Sequence, residues 1–455
     1  MQTATHWSSR NGFILTTIGA AVGLGNLWRF PYIAGENGGA GFVLIYLGFV
    51  FLIGLPIMLA ELILGRLGKR DALTTIIGLT KQSAHSKAWH AIGYISLIVP
   101  FVGLSYYAVV AAWSLDYLSL SALNRISDVA ADGAAATFEN RIGNWPHQVF
   151  LHGLFILVAG IVVSKGVKNG LEKASRFAMP LLFLILIFLV VHNAFASNFS
   201  DSLVFLFTPD FSAITTQSVL IALGQALFSL AIGVGVMITF GAYVPKDVSL
   251  SKSGIVICIG DTSVALLAGL AIFPIVFQSG LDPAEGPGLI FVTLPIAFAG
   301  IHWTWVLSTL FFLLLFFAAF TTALGMLEPM VSFVINRTGL TRAKATVLVG
   351  TTSWILGLGS VLSFGPLQSW FPLETVGLML NKTFFDVMDY FVANILLPTN
   401  ALLIAIFMGW RLKTSLIQRE LVGMSSSLVH TWRLVLRYLA PIGLCAIIYD
   451  LWINS

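Results

Sequence analysis

The first hydrophobic run of this chain contains TTIGAAVGLGNLWRFPY, residues 16 to 32, in which Gly19, Gly23 and Gly25 precede Asn26, Arg29 and Pro31. Glycine and proline weaken a helix at its centre, and backbone groups freed at membrane depth are tolerated only where an ion or a bound molecule satisfies them. A second run, ALGQALFSLAIGVGVMITF, repeats the device with Gln225, Ser229, Gly233 and Gly235. The half-helix that starts after the first break would aim the amides near Leu24 and Gly25 at its ligand, an environment suited to a carboxylate. Glycines at corresponding places in two halves of a chain are the sequence sign of a secondary transporter built from inverted repeats.

The rest of the chain must supply membrane helices to carry these breaks. Hydrophobic residues make up 57% of the 455 and charged residues only 10%, against about 25% charged in soluble domains. With a mean hydropathy of +0.92, this is an all-α polytopic membrane protein. A β-barrel is excluded, because its strands alternate polar and apolar residues. The net charge of +4 is read as surplus Lys and Arg on cytoplasmic loops, with no nucleic acid partner. Cys258 and Cys445 lie inside apolar runs and are expected to be buried thiols without a disulfide. The short polar N-terminus is not expected to act as a cleavable signal.

Eleven apolar runs of spanning length fall near 12–35, 40–64, 89–122, 147–164, 174–195, 217–243, 254–278, 302–333, 345–365, 384–410 and 433–453. Arg66, Lys69, Arg70, Lys165, Lys168, Arg337, Arg342, Arg411 and Lys413 all fall on one side, whereas Asp128, Asp132, Glu139, Asp282 and Glu285 gather on the other. This bias places the N-terminus in the cytoplasm and the C-terminus outside. Residues 123–146 read as a polar external loop, and 279–301 as an external excursion too interrupted to span. Gly170 and Pro180 enclose the start of the fifth segment, which is expected to unwind easily. The divisions are a cytoplasmic segment 1–11, a five-helix block 12–195, a second block 217–410 and a final helix 433–453.

GAAVGLGNLWRFPY, ENGG at 36–39, GQALFSL and FFAAFTTALGMLEP together resemble the neurotransmitter:sodium symporter family, in its bacterial amino-acid branch typified by the bacterial leucine transporter. The similarity runs over essentially the whole chain. It implies two inverted five-helix repeats with unwound helices 1 and 6, and two sodium sites. One site would use the carbonyls of Gly19, Val22 and Ala318 with the hydroxyls of Thr321 and Thr322. Hydroxyls bonding back onto their own helix are the ordinary alternative for that threonine pair. The other site would use the Ala21 carbonyl, Asn26, Ser229 and Asp261. Where chloride-dependent members have a serine four residues after the Asp261 position, this chain has Ala265. A sodium ion beside a zwitterion needs a compensating negative charge in low dielectric, which Asp261 can supply among Tyr46, Gln225 and Ser229. No chloride requirement is therefore expected.

The resemblance also implies a substrate site. Tyr107 would bond the substrate carboxylate beside Leu24 and Gly25, and the carbonyls of Ala21 and Phe228, with Ser229, would receive the amino group. Gly23 stands where monoamine carriers have an aspartate, so the substrate brings its own carboxylate. Ala20, Gly103, Phe228, Ala231 and Val234 would line the side-chain subsite with Thr322, Gly325 and Met326. None is charged, so neutral, hydrophobic L-amino acids, aliphatic or aromatic, are expected; small, β- or γ-amino acids are the alternative. Arg29 would close the outer path against Asp389, with Phe228 as the lid below. Inside, the family's arginine falls at Ala4 and its aspartate at Asn336, so that ion pair is lost, while Trp7, Arg10, Tyr243 and Glu328 keep family positions. Glu61 is expected to accept amides freed by the first break. The whole reads as a sodium symporter of a bacterial plasma membrane, and not as an enzyme: the eight histidines form no metal-ligand spacing. A channel or a non-transporting sensor on the same fold are the remaining alternatives.

Overall fold

The computed structural model describes residues 6–82, 85–131, 133–196, 198–281, 288–299, 303–374 and 381–454. Ser9 caps the first helix, its hydroxyl accepting the Gly12 amide at 3.0 Å, which satisfies one of the donors that a helix start leaves free. That helix, α1 (Arg10–Ala21), bends by 53° into α2 (Gly25–Glu36). After it come α3 (Ala40–Gly68), α4 (Lys87–Ala122), α5 (Trp145–Ser164) and α6 (Val167–Phe195). The second half begins with a short pair, α7 (Thr216–Ser229) and α8 (Val236–Ala242). It continues with α9 (Leu250–Gln278), the short apolar α10 (Leu289–Ala299), α11 (Thr304–Thr338), α12 (Arg342–Leu362), α13 (Phe384–Arg411) and α14 (Ser426–Leu451).

Among the described residues, nine helices are long and apolar enough to cross a bilayer, and the bent pair α1–α2 makes a tenth. The remaining expected segment, the sixth, is split into α7 and α8, neither of spanning length alone. Its break is stereochemical. Ala231, Gly233 and Gly235 have φ of +51°, +82° and +87°, values that stop a right-handed helix and favour glycine. A Cβ on Gly233 would lie 2.4 Å from the Leu397 carbonyl oxygen, and one on Gly235 would lie 2.4 Å from that of Ser96.

Packing places both breaks at the centre. The helix α1 packs against α6, α9 and α11, and α11 lies along α4. Val22, Leu24, Asn26, Ser229 and Asp261 are all at most 4% exposed. Large apolar side chains on the outer faces of α5 and α6, such as Phe150, Leu157, Phe177 and Leu184, are exposed, as expected where lipid replaces water as solvent. Three expectations need correction or detail. Cys258 is buried but Cys445 is exposed, because the last helix has a free outer face. The start of the fifth segment, expected to unwind easily, is here a widened turn, Val167–Glu172, preceded by Gly166 at φ +92°. The polar external loop carries two short helices, Ile126–Ala131 and Ala134–Gly143. Asp132, Asp282, Glu285 and Ala4, used in the charge and gate readings, lie outside the described residues.

Candidate functional site

The first break spans Val22 to Leu24. Val22 leaves the helix in an extended conformation, and the carbonyls turned out there meet α11. The Thr322 hydroxyl donates to the Val22 carbonyl at 3.1 Å and lies 3.4 Å from that of Gly19. Thr321 behaves as the ordinary alternative has it, bonding back to Phe317 and Ala318 at 3.0 and 3.2 Å. Gly19, Val22, Ala318, Thr321 and Thr322 are thus brought together as a set of uncharged oxygens. Hard oxygen donors without formal charge suit a monovalent cation that must later leave.

A second cluster joins the two breaks. The Asn26 amide nitrogen donates to Ser229 Oγ at 3.0 Å and to Asp261 Oδ1 at 2.9 Å, and its Oδ1 accepts the Gly23 amide at 3.2 Å. Ser229 donates to Asp261 Oδ2 at 2.5 Å and accepts from the Tyr46 hydroxyl at 3.1 Å. Gln225 donates to the Gly25 carbonyl at 3.1 Å. Asn26, Tyr46 and Asp261 are fully buried, and the one formal charge among these groups is the aspartate. Inserting a carboxylate at membrane depth costs about 2.5–3.5 kcal/mol on insertion scales. The hydrogen bonds from Asn26 and Ser229 offset part of that cost.

Beside this cluster the Tyr107 hydroxyl accepts the Leu24 amide at 3.3 Å. A small cavity of about 50 Å³ lies there, bounded by Ala20, Ala21, Gly23, Leu24, Gly25, Gly103, Tyr107, Phe228, Ala231, Val234, Thr322 and Met326. Every residue expected around the substrate borders it except Ser229, just behind, and Gly325, which packs against Ala20. Gly23 leaves no room for a larger residue, since a Cβ there would lie 2.7 Å from Thr322 Oγ1 and 2.9 Å from the Tyr107 oxygen. Val99, Tyr106, Val392 and Leu397 complete the wall. Sequence reasoning missed these four, and only Tyr106, adjacent to Tyr107, carried any signal.

Phe228 also floors a larger cavity of about 410 Å³ that includes Trp28, Arg29, Tyr32, Trp113, Asp386 and Asp389. The expected closure by Arg29 on Asp389 is not made. Both line this cavity, but no ion pair within 4.0 Å joins them. The Arg29 guanidinium instead lies 4.6 Å from the centre of the Phe228 ring, where the ring's negative face attracts it.

Glu61 is corrected as well. It accepts the Gly233 amide at 2.7 Å, so it supports the break in the sixth segment rather than the first. Asn400 completes that support by donating to the Gly233 carbonyl at 2.7 Å. At the N-terminal end of α1 Trp7 is buried against Phe13, Phe240 and Tyr243, and its indole donates to the Phe240 carbonyl at 3.1 Å. Tyr243 donates to Glu328 at 2.8 Å, which also pairs with Arg342. Asn336 donates to Asp71 at 3.0 Å.

Comparison with known proteins finds relatives along nearly the whole chain. A profile described as the Sodium:neurotransmitter symporter family matches residues 4–130 and 140–454. The chain is 34% identical over 453 residues to YhdH of Bacillus subtilis (strain 168), called an uncharacterized sodium-dependent transporter, with 99% of this chain and 98% of that one covered. It is 26% identical over 406 residues to the sodium- and chloride-dependent GABA transporter 2 of Mus musculus, covering 78% and 66%. A crystal structure of MhsT in complex with L-phenylalanine superposes with a TM-score of 0.89 at 37% identity, covering 98% of this chain and all of that one.

Proposed function

Since the chain belongs to the sodium:neurotransmitter symporter family and is therefore a transporter rather than an enzyme, we propose that it imports neutral, hydrophobic L-amino acids, aliphatic or aromatic, together with sodium and without chloride. The observation that carries this reading is the meeting of two helix breaks around one apolar cavity, with a buried carboxylate, Asp261, hydrogen-bonded to Asn26 and Ser229 beside it. In the proposed complex the substrate carboxylate takes the Leu24 amide and the Tyr107 hydroxyl, which already hydrogen-bond each other. The amino group faces the Ala21 and Phe228 carbonyls and Ser229. The apolar walls take the side chain and leave a charged one unpaired, which burial penalises. That MhsT was solved with L-phenylalanine supports an aromatic or aliphatic substrate.

Sodium is cargo at two places. One is the oxygen set of Gly19, Val22, Ala318, Thr321 and Thr322; the other is Ala21, Asn26, Ser229 and Asp261. Substrate and cation share the second place, so each raises the other's affinity by one factor. Chloride-dependent relatives bring a mobile anion to balance this charge, whereas here Asp261 is fixed and hydrogen-bonded to Asn26 and Ser229. Segments 1–5 (12–195) and 6–10 (217–410) act as the two inverted repeats, eleven helices in all with the last at 433–453. The protein sits in a bacterial plasma membrane with residues 1–11 in the cytoplasm and the C-terminus outside. Competition by each of the twenty amino acids against uptake in proteoliposomes, with and without sodium, tests the substrate class. Inhibition confined to charged or small polar amino acids would refute it.

A further inference from the structure

The family's inner ion pair is lost at Ala4 and Asn336, yet the start of α1 is held down, and the residue that holds it comes from α6. Resting on the transporter reading above, we propose that Glu172 is a positioning residue: its carboxylate latches the cytoplasmic end of α1 onto the first turn of α6 and keeps the inner path shut. Glu172 is 1% exposed. Its Oε2 accepts the Ser8 backbone amide at 2.9 Å, and its Oε1 accepts the Ser8 hydroxyl. Arg176, one turn on, reaches Glu172 Oε1 at 2.6 Å and the Ser8 and Ser9 hydroxyls at 2.9 and 2.8 Å.

Four features make this a fitted joint rather than a chance contact. The carboxylate lies at the N-terminus of α1, where the helix dipole and free amides favour a negative charge. Gly12 makes the room, since a Cβ there would lie 1.9 Å from Glu172 Oε1. Ser8 directly follows Trp7, whose backbone amide donates to the Tyr243 carbonyl at 3.2 Å and whose indole closes on Phe240. Glu172 is also the last residue of the widened turn Val167–Glu172, so unwinding that turn withdraws the carboxylate. Opening the start of α6 and releasing the end of α1 thereby become one event.

The test is amide exchange in the full-length protein in lipid nanodiscs, with sodium half-saturation read in the same preparations. Glu172→Gln removes the charge. Gly12→Ala displaces the carboxylate without removing a polar group, and Ser8→Ala removes one donor at small risk to folding. The latch predicts at least tenfold faster exchange over residues 8–13 and 167–176 in Glu172→Gln and Gly12→Ala, with a smaller change of the same sign in Ser8→Ala. It also predicts a sodium half-saturation at least threefold higher, with exchange in α12 unchanged. Exchange over 8–13 and 167–176 equal to wild type, or raised equally in α12, would overturn it. A wild type indifferent to sodium would sink the proposed function, while the exchange comparison would still decide the latch.

Discussion

At the scale of residues, the site turns on a few groups whose removal has opposite signatures. Tyr107→Phe deletes the hydroxyl beside the Leu24 amide and leaves the ring in place. A hydrogen bond to a charged partner contributes about 1.5–3 kcal/mol, so the substrate KM should rise about tenfold or more with little change in thermal stability. Radiolabelled uptake and a melting curve check both halves of that statement. Asp261→Asn keeps the shape but removes the only formal charge among Asn26, Tyr46, Ser229 and Asp261. Sodium half-saturation should then rise by at least about tenfold, measured by sodium titration of substrate binding. An unchanged value would mean that Asp261 only joins helices.

At the scale of elements, the breaks themselves are open to test. Gly233→Ala forces a side chain into positive φ with its Cβ against the Leu397 carbonyl. Backbone strain of that kind costs about 1–3 kcal/mol, so a lower melting temperature and loss of uptake are expected together. This is also where the sequence was most and least informative. The glycines announced both breaks, and apolar run length placed α4, α5 and α13 within a few residues of their ends, because a bilayer dictates helix length locally. What α3 does for the break between α7 and α8 was not legible. Glu61 is a carboxylate in an apolar run wherever it points, and only the fold brings it to Gly233 rather than to the first break. Where Arg29 rests was not legible for a related reason: the resemblance implied closure on Asp389, and only the fold shows its guanidinium over the Phe228 ring. Val392 and Leu397 were invisible because an apolar residue in an apolar run carries no mark of facing a cavity.

At the scale of the molecule, the two cavities that share Phe228 describe a carrier with a wide chamber and a tight pocket. The inner space of about 50 Å³ is smaller than the cavity of about 150 Å³ that holds a benzene. Admitting a bulky side chain therefore requires part of the lining to retreat, which ties loading to movement. Charge balance makes a further whole-molecule prediction. With Asp261 fixed in the site, replacing chloride by gluconate on both sides of the membrane should leave initial uptake rates unchanged, and their abolition would mean that a mobile anion is needed after all. The most direct measurement is accumulation of a radiolabelled hydrophobic amino acid such as leucine in proteoliposomes whose only gradient is sodium, directed inward. Accumulation above equilibrium that collapses with the gradient is the predicted result. Equal entry with and without sodium, or no entry of any hydrophobic amino acid, would contradict the account.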